Sequence, residues 1–288
     1  MKDLSNIKVI KQILLENDFK FSKSLGQNFI TDSSVCPRMA EACLESEGDG
    51  VIEIGPGIGT LTVCLAERFK KVLAIELDKR LIPILNGNLS SFSNIKIIQD
   101  DVLKVDVDEL IKTELSECKN ISVCANLPYY ITSDIIMYLL EKEFNISSIV
   151  IMIQKEAAER ICALPGARAS GAISVAVRYF GDPEILFNVK KSSFIPVPKV
   201  DSCVIKIKVK KDISTKIENR NIFFKLVHAA FSKRRKNLLN SLSSGLSISK
   251  DDTSEILNLS HIDSRLRAEN LKIEDWINLS NVVSEKLR

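Results

Sequence analysis

Short runs rich in Val and Ile recur along the first two-thirds of the chain, each followed by a segment long enough for a helix. The runs at 51–55, 72–77, 95–100, 121–125, 148–153, 184–189 and 203–210 read as strands. The first five are largely unbroken apolar stretches, as expected for strands covered by helices on both faces. The last alternates: Cys203, Ile205, Ile207 and Val209 fall on one side, Val204, Lys206, Lys208 and Lys210 on the other. That is the pattern of a half-exposed edge or antiparallel strand. Strands alternating with helices predict an α/β fold built on a doubly wound sheet.

The strand pattern stops after about residue 212. Phe223, Val227, Ala230 and Phe231 recur at helical spacing, and Leu238, Leu239 and Leu242 continue beyond the cluster Lys233-Arg234-Arg235-Lys236. Further helices are expected near 253–259 and 273–287. The predicted organisation is a catalytic domain over 1–212, with an N-terminal helical extension, and a small all-helical domain over 213–288.

Composition narrows the class. No stretch reaches the ~18 to 20 apolar residues of a membrane span. Lys8, Lys11 and Glu16 break up the apolar N-terminal residues that a signal peptide would keep together. With 45% hydrophobic and 27% charged residues, the chain is expected to fold as a soluble, cytoplasmic protein. The seven cysteines contain no Cys-x-x-Cys pair, and His228 and His261 stand far apart. Neither a disulfide framework nor a metal site is expected, and the cysteines read as small core residues. The net charge of +3 conceals a segregation. Residues 189–236 hold fourteen Lys or Arg against three acids, which is +11 there and −8 elsewhere. Such a stretch suits a polyanion-binding face, and equally a solvated lysine-rich surface.

The run Glu53-Ile-Gly55-Pro-Gly57-Ile-Gly59 closes the first buried strand and opens a helix. Glycines there permit a tight turn and a close approach of ligand to backbone. Glu76, twenty-one residues past Gly55, ends the next strand, where a carboxylate can accept from both ribose hydroxyls. These two features also describe a nicotinamide dinucleotide site. The Gly-x-Gly-x-Gly spacing and Asp100-Asp101 at the end of the third strand point instead to S-adenosylmethionine. A pyrophosphate disfavours added negative charge, whereas a sulfonium tolerates it. Gly55, Gly57, Glu76 and Asp101 are therefore expected around one ligand, with Asp101 also able to cap the turn that follows.

Asn126-Leu127-Pro128-Tyr129 follows the fourth strand. Adenine's exocyclic nitrogen is a poor nucleophile because its lone pair is delocalised into the ring. The Asn126 side-chain oxygen and the Leu127 carbonyl can each accept one N–H and draw that nitrogen towards a pyramidal geometry. Pro128 offers no competing donor. Tyr129 offers a face for base stacking, worth ~1 to 3 kcal/mol, and for a cation–π contact with the sulfonium. Asn126 is therefore expected to contact both base and cofactor.

This tetrapeptide resembles the signature of exocyclic-amine methyltransferases. Ser24-Leu25-Gly26-Gln27-Asn28-Phe29-Ile30 resembles the Gly-Gln-Asn-Phe-Leu segment of ribosomal RNA adenine dimethyltransferases. That resemblance implies cofactor contacts for Asn28 and Ile30. Phe194-Ile-Pro196-Val-Pro198-Lys-Val200-Asp-Ser202 resembles the family's Phe-x-Pro-x-Pro-x-Val-x-Ser, which implies that Phe194 closes over the target base opposite Tyr129. Phe231-Ser-Lys-Arg234-Arg235-Lys236-Asn-Leu resembles the basic helix of the family's C-terminal domain, implying RNA contacts for Lys233, Arg234, Arg235 and Lys236. Gly26 and Leu127 resemble the KsgA (RsmA) type more than the Erm type, which more often has Ser and Ile there. Residues 165–171 also resemble the KsgA type, with Ser170 where that type usually has Tyr.

The resemblance implies a Rossmann-like S-adenosylmethionine-dependent methyltransferase with a helical RNA-binding domain. Its expected activity is dimethylation at N6 of two adjacent adenines near the 3′ end of small-subunit ribosomal RNA. The expected partner is that RNA within a pre-ribosomal particle, met by a monomer without a metal or a membrane. An Erm-type enzyme acting on large-subunit RNA and an assembly factor with secondary methylation are the alternatives.

Overall fold

The computed structural model describes residues 2–22, 25–211, 217–233 and 235–286. Its elements are, in chain order, α1 (Ile7–Glu16), β1 (Phe29–Ile30), α2 (Val35–Cys43), β2 (Gly50–Ile54), α3 (Thr60–Ala66), β3 (Lys71–Glu76), α4 (Ile82–Asn88), β4 (Ile95–Gln99), α5 (Val107–Glu114), β5 (Ile121–Asn126), α6 (Thr132–Glu141) and β6 (Ser148–Gln154). There follow α7 (Lys155–Cys162), α8 (Ala172–Phe180), β7 (Gly181–Val189), β8 (Phe194–Ile195), β9 (Ser202–Val209), α9 (Arg220–Phe231), α10 (Leu238–Leu246), α11 (Lys250–Leu259) and α12 (Ile273–Lys286).

Seven strands form one sheet in the order β4-β3-β2-β5-β6-β9-β7. β2 runs parallel to β3 and β5, β3 to β4, and β5 to β6, while β9 is antiparallel to β6. The unbroken apolar runs are thus the parallel strands, and the alternating run is the antiparallel one. It lies inside the sheet with β7 at the edge, and Lys206 of β9 is satisfied by donating through Nζ to the Ala42 carbonyl at 2.8 Å. A pair unforeseen from sequence, β1 with β8, is antiparallel and matches Ile30 to Phe194.

Two compact units divide the chain: residues 1–158 with 184–209, and residues 159–183 with 210–288. In the first, Val72, Cys124, Val150, Met152 and Val204 turn one sheet face into a core with Met39, Cys43, Leu61 and Leu65 of α2 and α3. Full burial of each such aliphatic side chain contributes roughly 1.5–3 kcal/mol. Among the described residues no helix is long and apolar enough to cross a membrane, and no cluster of side chains could hold a metal ion.

The boundary expected at residue 212 falls within 212–216, outside the described residues. Residues 159–183, expected with the sheet, belong to the second unit. The reason is α8, whose rings join those of α9: Tyr179 lies 5.0 Å from Phe223, and Phe180 stacks on Phe224 at 5.6 Å. Such ring pairs add to the energy of simple area burial. α10 approaches α9 so closely that a Cβ at Gly245 would stand 2.6 Å from that of Ala229, which requires glycine there. α12 packs Trp276, fully buried, against Phe231 with ring centroids 5.8 Å apart.

The basic cluster does not lie on a continuous helix as expected. α9 ends at Phe231, and Asn237 takes extended backbone angles and accepts from Asn240 N–H to cap α10. Lys233, Arg235 and Lys236 are exposed in the turn between the two helices, and Arg234 lies outside the described residues. Ser170 is buried, its hydroxyl 3.4 Å from the Glu269 carbonyl, so it presents nothing to an RNA.

Truncating Trp276 to Ala is expected to cost about 3–5 kcal/mol by opening a cavity at the α9–α12 contact. Urea unfolding followed by circular dichroism measures it. Trp276→Phe, which also removes a buried indole N–H that has no partner, is expected to cost clearly less.

Candidate active site

The carboxyl ends of parallel strands in an open α/β sheet face one crevice. Here residues 25–30, 53–58, 75–77, 100–102 and 126–131 line a single cavity at those ends. Asn28, Ile30, Gly55, Gly57, Glu76, Asp101, Asn126, Leu127 and Tyr129, expected from sequence to share a ligand and a base, all line it. Phe194 does not. It is 3% exposed and packs with Val35, Met39 and Ile30 in the sheet-face core, because its pairing with Ile30 turns the side chain inward. The second aromatic wall expected from Phe194 is therefore absent from this arrangement.

The glycine turn shapes one side. Gly55 and Gly57 have φ of +69° and +64°, conformations that L side chains rarely adopt. A Cβ at Gly55 would meet nothing within 4 Å and would project into open space, whereas one at Gly57 would press on Phe29 at 3.2 Å.

Glu76, at the end of β3, is 5% exposed. Its Oε2 accepts from Gly57 N–H at 3.1 Å and its Oε1 from Asp78 N–H at 2.8 Å. Burial raises this carboxyl above the ordinary carboxylate range, and those backbone donors partly offset the rise. Each oxygen keeps a further lone pair for a ligand hydroxyl. Asp101 serves as both a cap and a wall: its Oδ1 accepts from Leu103 N–H at 3.1 Å, and it lines the cavity.

Asn126, the last residue of β5, is oriented by its own amide nitrogen. Nδ2 donates to the Asn28 carbonyl at 3.1 Å. Its Oδ1 accepts no hydrogen bond among the described residues, and the same holds for the Leu127 carbonyl. Asn28 is itself held, its Nδ2 donating to the Gly26 carbonyl at 2.9 Å. Next to it, Gln27 donates to Asp78 Oδ2 at 2.8 Å and accepts from Ser22 N–H at 2.9 Å. The Gln27-Asn28 pair is thus a clamp that ties its loop to the loop after β3 on one side and to Asn126 on the other. The Ser24 of the motif lies outside the described residues. Tyr129 is half-buried, its hydroxyl 2.9 Å from Ser202 Oγ, and burial pushes its phenol above the ordinary value.

Sequence reasoning passed over Glu53 as a site residue. It is 1% exposed within β2 and lines the cavity. Its Oε2 and the Thr62 hydroxyl are both buried without a hydrogen-bond partner, although Thr62 is near enough to favour the charged form somewhat. Burial pushes the Glu53 carboxyl up to about 8, and the charge of Glu76 adds to the rise. A signal was present, since Glu53 is the lone acid in an otherwise apolar strand immediately before a glycine turn.

The raised carboxyl has a pH consequence. Below the ordinary value of 4.5 both folded and unfolded chains hold the proton. Between there and about 8 only the unfolded chain ionises, so folding loses stability as pH rises, and the loss levels off above about 8. Relative to wild type, Glu53→Gln is expected to gain stability across that window, on the order of a few kcal/mol at its upper end. Urea unfolding at a series of pH values tests this, and parallel wild-type and variant curves would show Glu53 ionised in the folded protein.

Comparison with known proteins agrees with this geometry. The family described as Ribosomal RNA adenine dimethylase matches residues 18–285. Proteins named "Ribosomal RNA small subunit methyltransferase A" are similar over the whole length. The one from Alkaliphilus oremlandii is 46% identical and covers 100% of both chains, and that from Clostridioides difficile is 44% identical over 100% of this chain and 99% of its own. Among solved structures, a dimethyladenosine transferase from Plasmodium falciparum superposes with a TM-score of 0.73 at 26% identity, covering 89% of this chain and 98% of that one. The 23S rRNA methyltransferase ErmE shares the fold with a TM-score of 0.67 at 24% identity over 89% of this chain and 99% of its own. With the glycine turn, the Gln27-Asn28 clamp and Asn126-Leu127-Pro128-Tyr129 all on one cavity, the chain belongs to the ribosomal RNA adenine dimethylase family.

Proposed function

We propose that this protein transfers methyl groups from S-adenosylmethionine to N6 of two adjacent adenines near the 3′ end of small-subunit ribosomal RNA, within a pre-ribosomal particle. The observation that carries this reading is the orientation of Asn126, a cavity-lining residue whose nitrogen donates one N–H to Asn28 and whose oxygen accepts no hydrogen bond among the described residues. Full-length similarity to proteins named for the small subunit favours that RNA over the large-subunit one.

The residues present fit the cofactor. Gly55 leaves room against the backbone, Glu76 retains acceptor capacity for a ribose, and Glu53 presents an unpartnered buried oxygen. When bound, S-adenosylmethionine supplies a methyl group activated by a sulfonium. The chain's own part is orientation. Asn126 Oδ1 and the Leu127 carbonyl accept the two N–H groups of the target amine and hold its lone pair towards the cofactor side. The Pro128 carbonyl is already engaged by Ile131 N–H at 3.3 Å and the Thr132 hydroxyl at 3.1 Å, so it does not compete for those protons. Tyr129, anchored through Ser202, offers its ring to the base. The target adenine must leave its stack to enter, which suits a loop.

Incubation with labelled S-adenosylmethionine and unmethylated small or large ribosomal subunits, followed by mapping, is expected to show dimethylation at two adjacent small-subunit adenines. Label confined to large subunits would defeat the assignment. Asn126→Ala is expected to slow transfer by on the order of 10²-fold, as loss of a preorganised polar contact does elsewhere. Calorimetry should find cofactor binding largely kept. We assign RNA contact to the exposed turn at Lys233, Arg235 and Lys236, with Arg234 outside the described residues. Replacing those three by Ala is expected to weaken subunit binding and flatten its log–log salt dependence by about 0.7–0.9 for each phosphate that the turn no longer neutralises. An unchanged slope would remove the turn from the RNA interface.

A further inference from the structure

Tyr130 stands apart from the other tyrosines. Tyr129 bonds Ser202, Tyr138 donates to the Val105 carbonyl, and Tyr179 receives Arg220. Tyr130 has neither a hydrogen bond nor a ring partner among the described residues, and it is 60% exposed. A scattered exposed aromatic means little on a protein surface. This one lines the mouth of the cavity that holds Asn126 and Tyr129. Its mount is firm: the Pro128 carbonyl receives Ile131 N–H and the Thr132 hydroxyl, closing the turn directly onto α6. The ring lies beside Gly26, where a Cβ would come within 3.5 Å of Tyr130 Cε1 and 3.3 Å of Pro128 Cβ, so the missing side chain leaves the ring room next to the loop.

A base that leaves its stack to enter the cavity uncovers a face of its neighbour in the RNA. A flat apolar side chain beside the opening can cover that face. We infer that Tyr130 is a substrate-positioning residue on whose ring the purine adjacent to the target adenine stacks. The inference rests on the proposed function and deepens it. Tyr129 serves the base inside, and Tyr130 serves its neighbour at the rim, so consecutive residues match consecutive nucleotides. With Phe194 buried in the core, Tyr130 is the exposed ring among the cavity-lining residues.

Steady-state methylation of unmethylated small ribosomal subunits tests this with Tyr130→Ala, Tyr130→Phe and Tyr130→Trp, each also titrated with S-adenosylmethionine alone by calorimetry. Loss of the stack is expected to raise KM for subunits about 5- to 150-fold in Tyr130→Ala, with kcat changed far less. Phe and Trp, which keep a ring, are expected to stay near wild type, and all three variants should bind the cofactor as wild type does. An unchanged KM in Tyr130→Ala overturns the inference. So does a Phe variant as impaired as Ala, which would assign the effect to the hydroxyl, or a parallel loss of cofactor affinity. Wild-type protein unable to methylate small subunits would instead overturn the proposed function, and this inference with it.

Discussion

The hydrogen bond from Asn126 Nδ2 to the Asn28 carbonyl, 3.1 Å long, joins two segments ninety-eight residues apart in sequence. An amide side chain can present either its donor or its acceptor to a ligand, and a free one samples both. Committing the nitrogen to Asn28 fixes which end remains. That commitment holds only while the Asn28 carbonyl is itself in place, which Gln27 secures through Asp78 and Asn28 through Gly26. Asp78 is in turn gripped by Arg80 at 2.6 Å, which keeps its carboxyl below the ordinary range. The reacting end of the cavity is therefore preorganised by a chain of polar contacts starting in the loop after β3 and ending on β5.

The electrostatics of the cavity follow from burial more than from net charge. Glu53 and Glu76 both sit on parallel strands with almost no exposure, and burial raises both carboxyls. Glu76 differs in receiving two backbone N–H groups, which favour its charged form, whereas Glu53 has none at Oε2. Two acids of nearly equal burial thus differ towards a ligand: Glu76 is held by backbone donors that favour its charged form, and burial raises the Glu53 carboxyl to about 8.

The second unit is organised by rings. Tyr179, Phe180, Phe223 and Phe224 tie α8 to α9, and Phe231 with Trp276 ties α9 to α12. This explains how a segment placed between α7 and β7 in the chain comes to share a core with helices that follow the last strand. It also leaves the turn after α9 free of core duty, so Lys233, Arg235 and Lys236 are exposed to solvent.

The sequence by itself determined the seven strands of the main sheet, the parallel character of the unbroken ones and the glycine turn, but not the short β1–β8 pair, because unbroken apolar runs and glycine spacing are local consequences of burial on both faces and of backbone sterics. It also limited what Asn126-Leu127-Pro128-Tyr129 can offer a ligand, since residue type alone limits which groups donate and which accept. Glu53 was visible as an acid in an apolar strand, yet its raised carboxyl needed the packing around it. Tertiary structure alone decided where side chains more than a strand apart would meet. Phe194 went to the core because pairing β8 with β1 set its direction, and the basic cluster became a turn because Asn237 starts a new helix. Residues 159–183 joined the helices because the rings of α8 found partners on α9. Periodicity reports which face of an element is apolar; which other face covers it is settled only when the whole chain is packed.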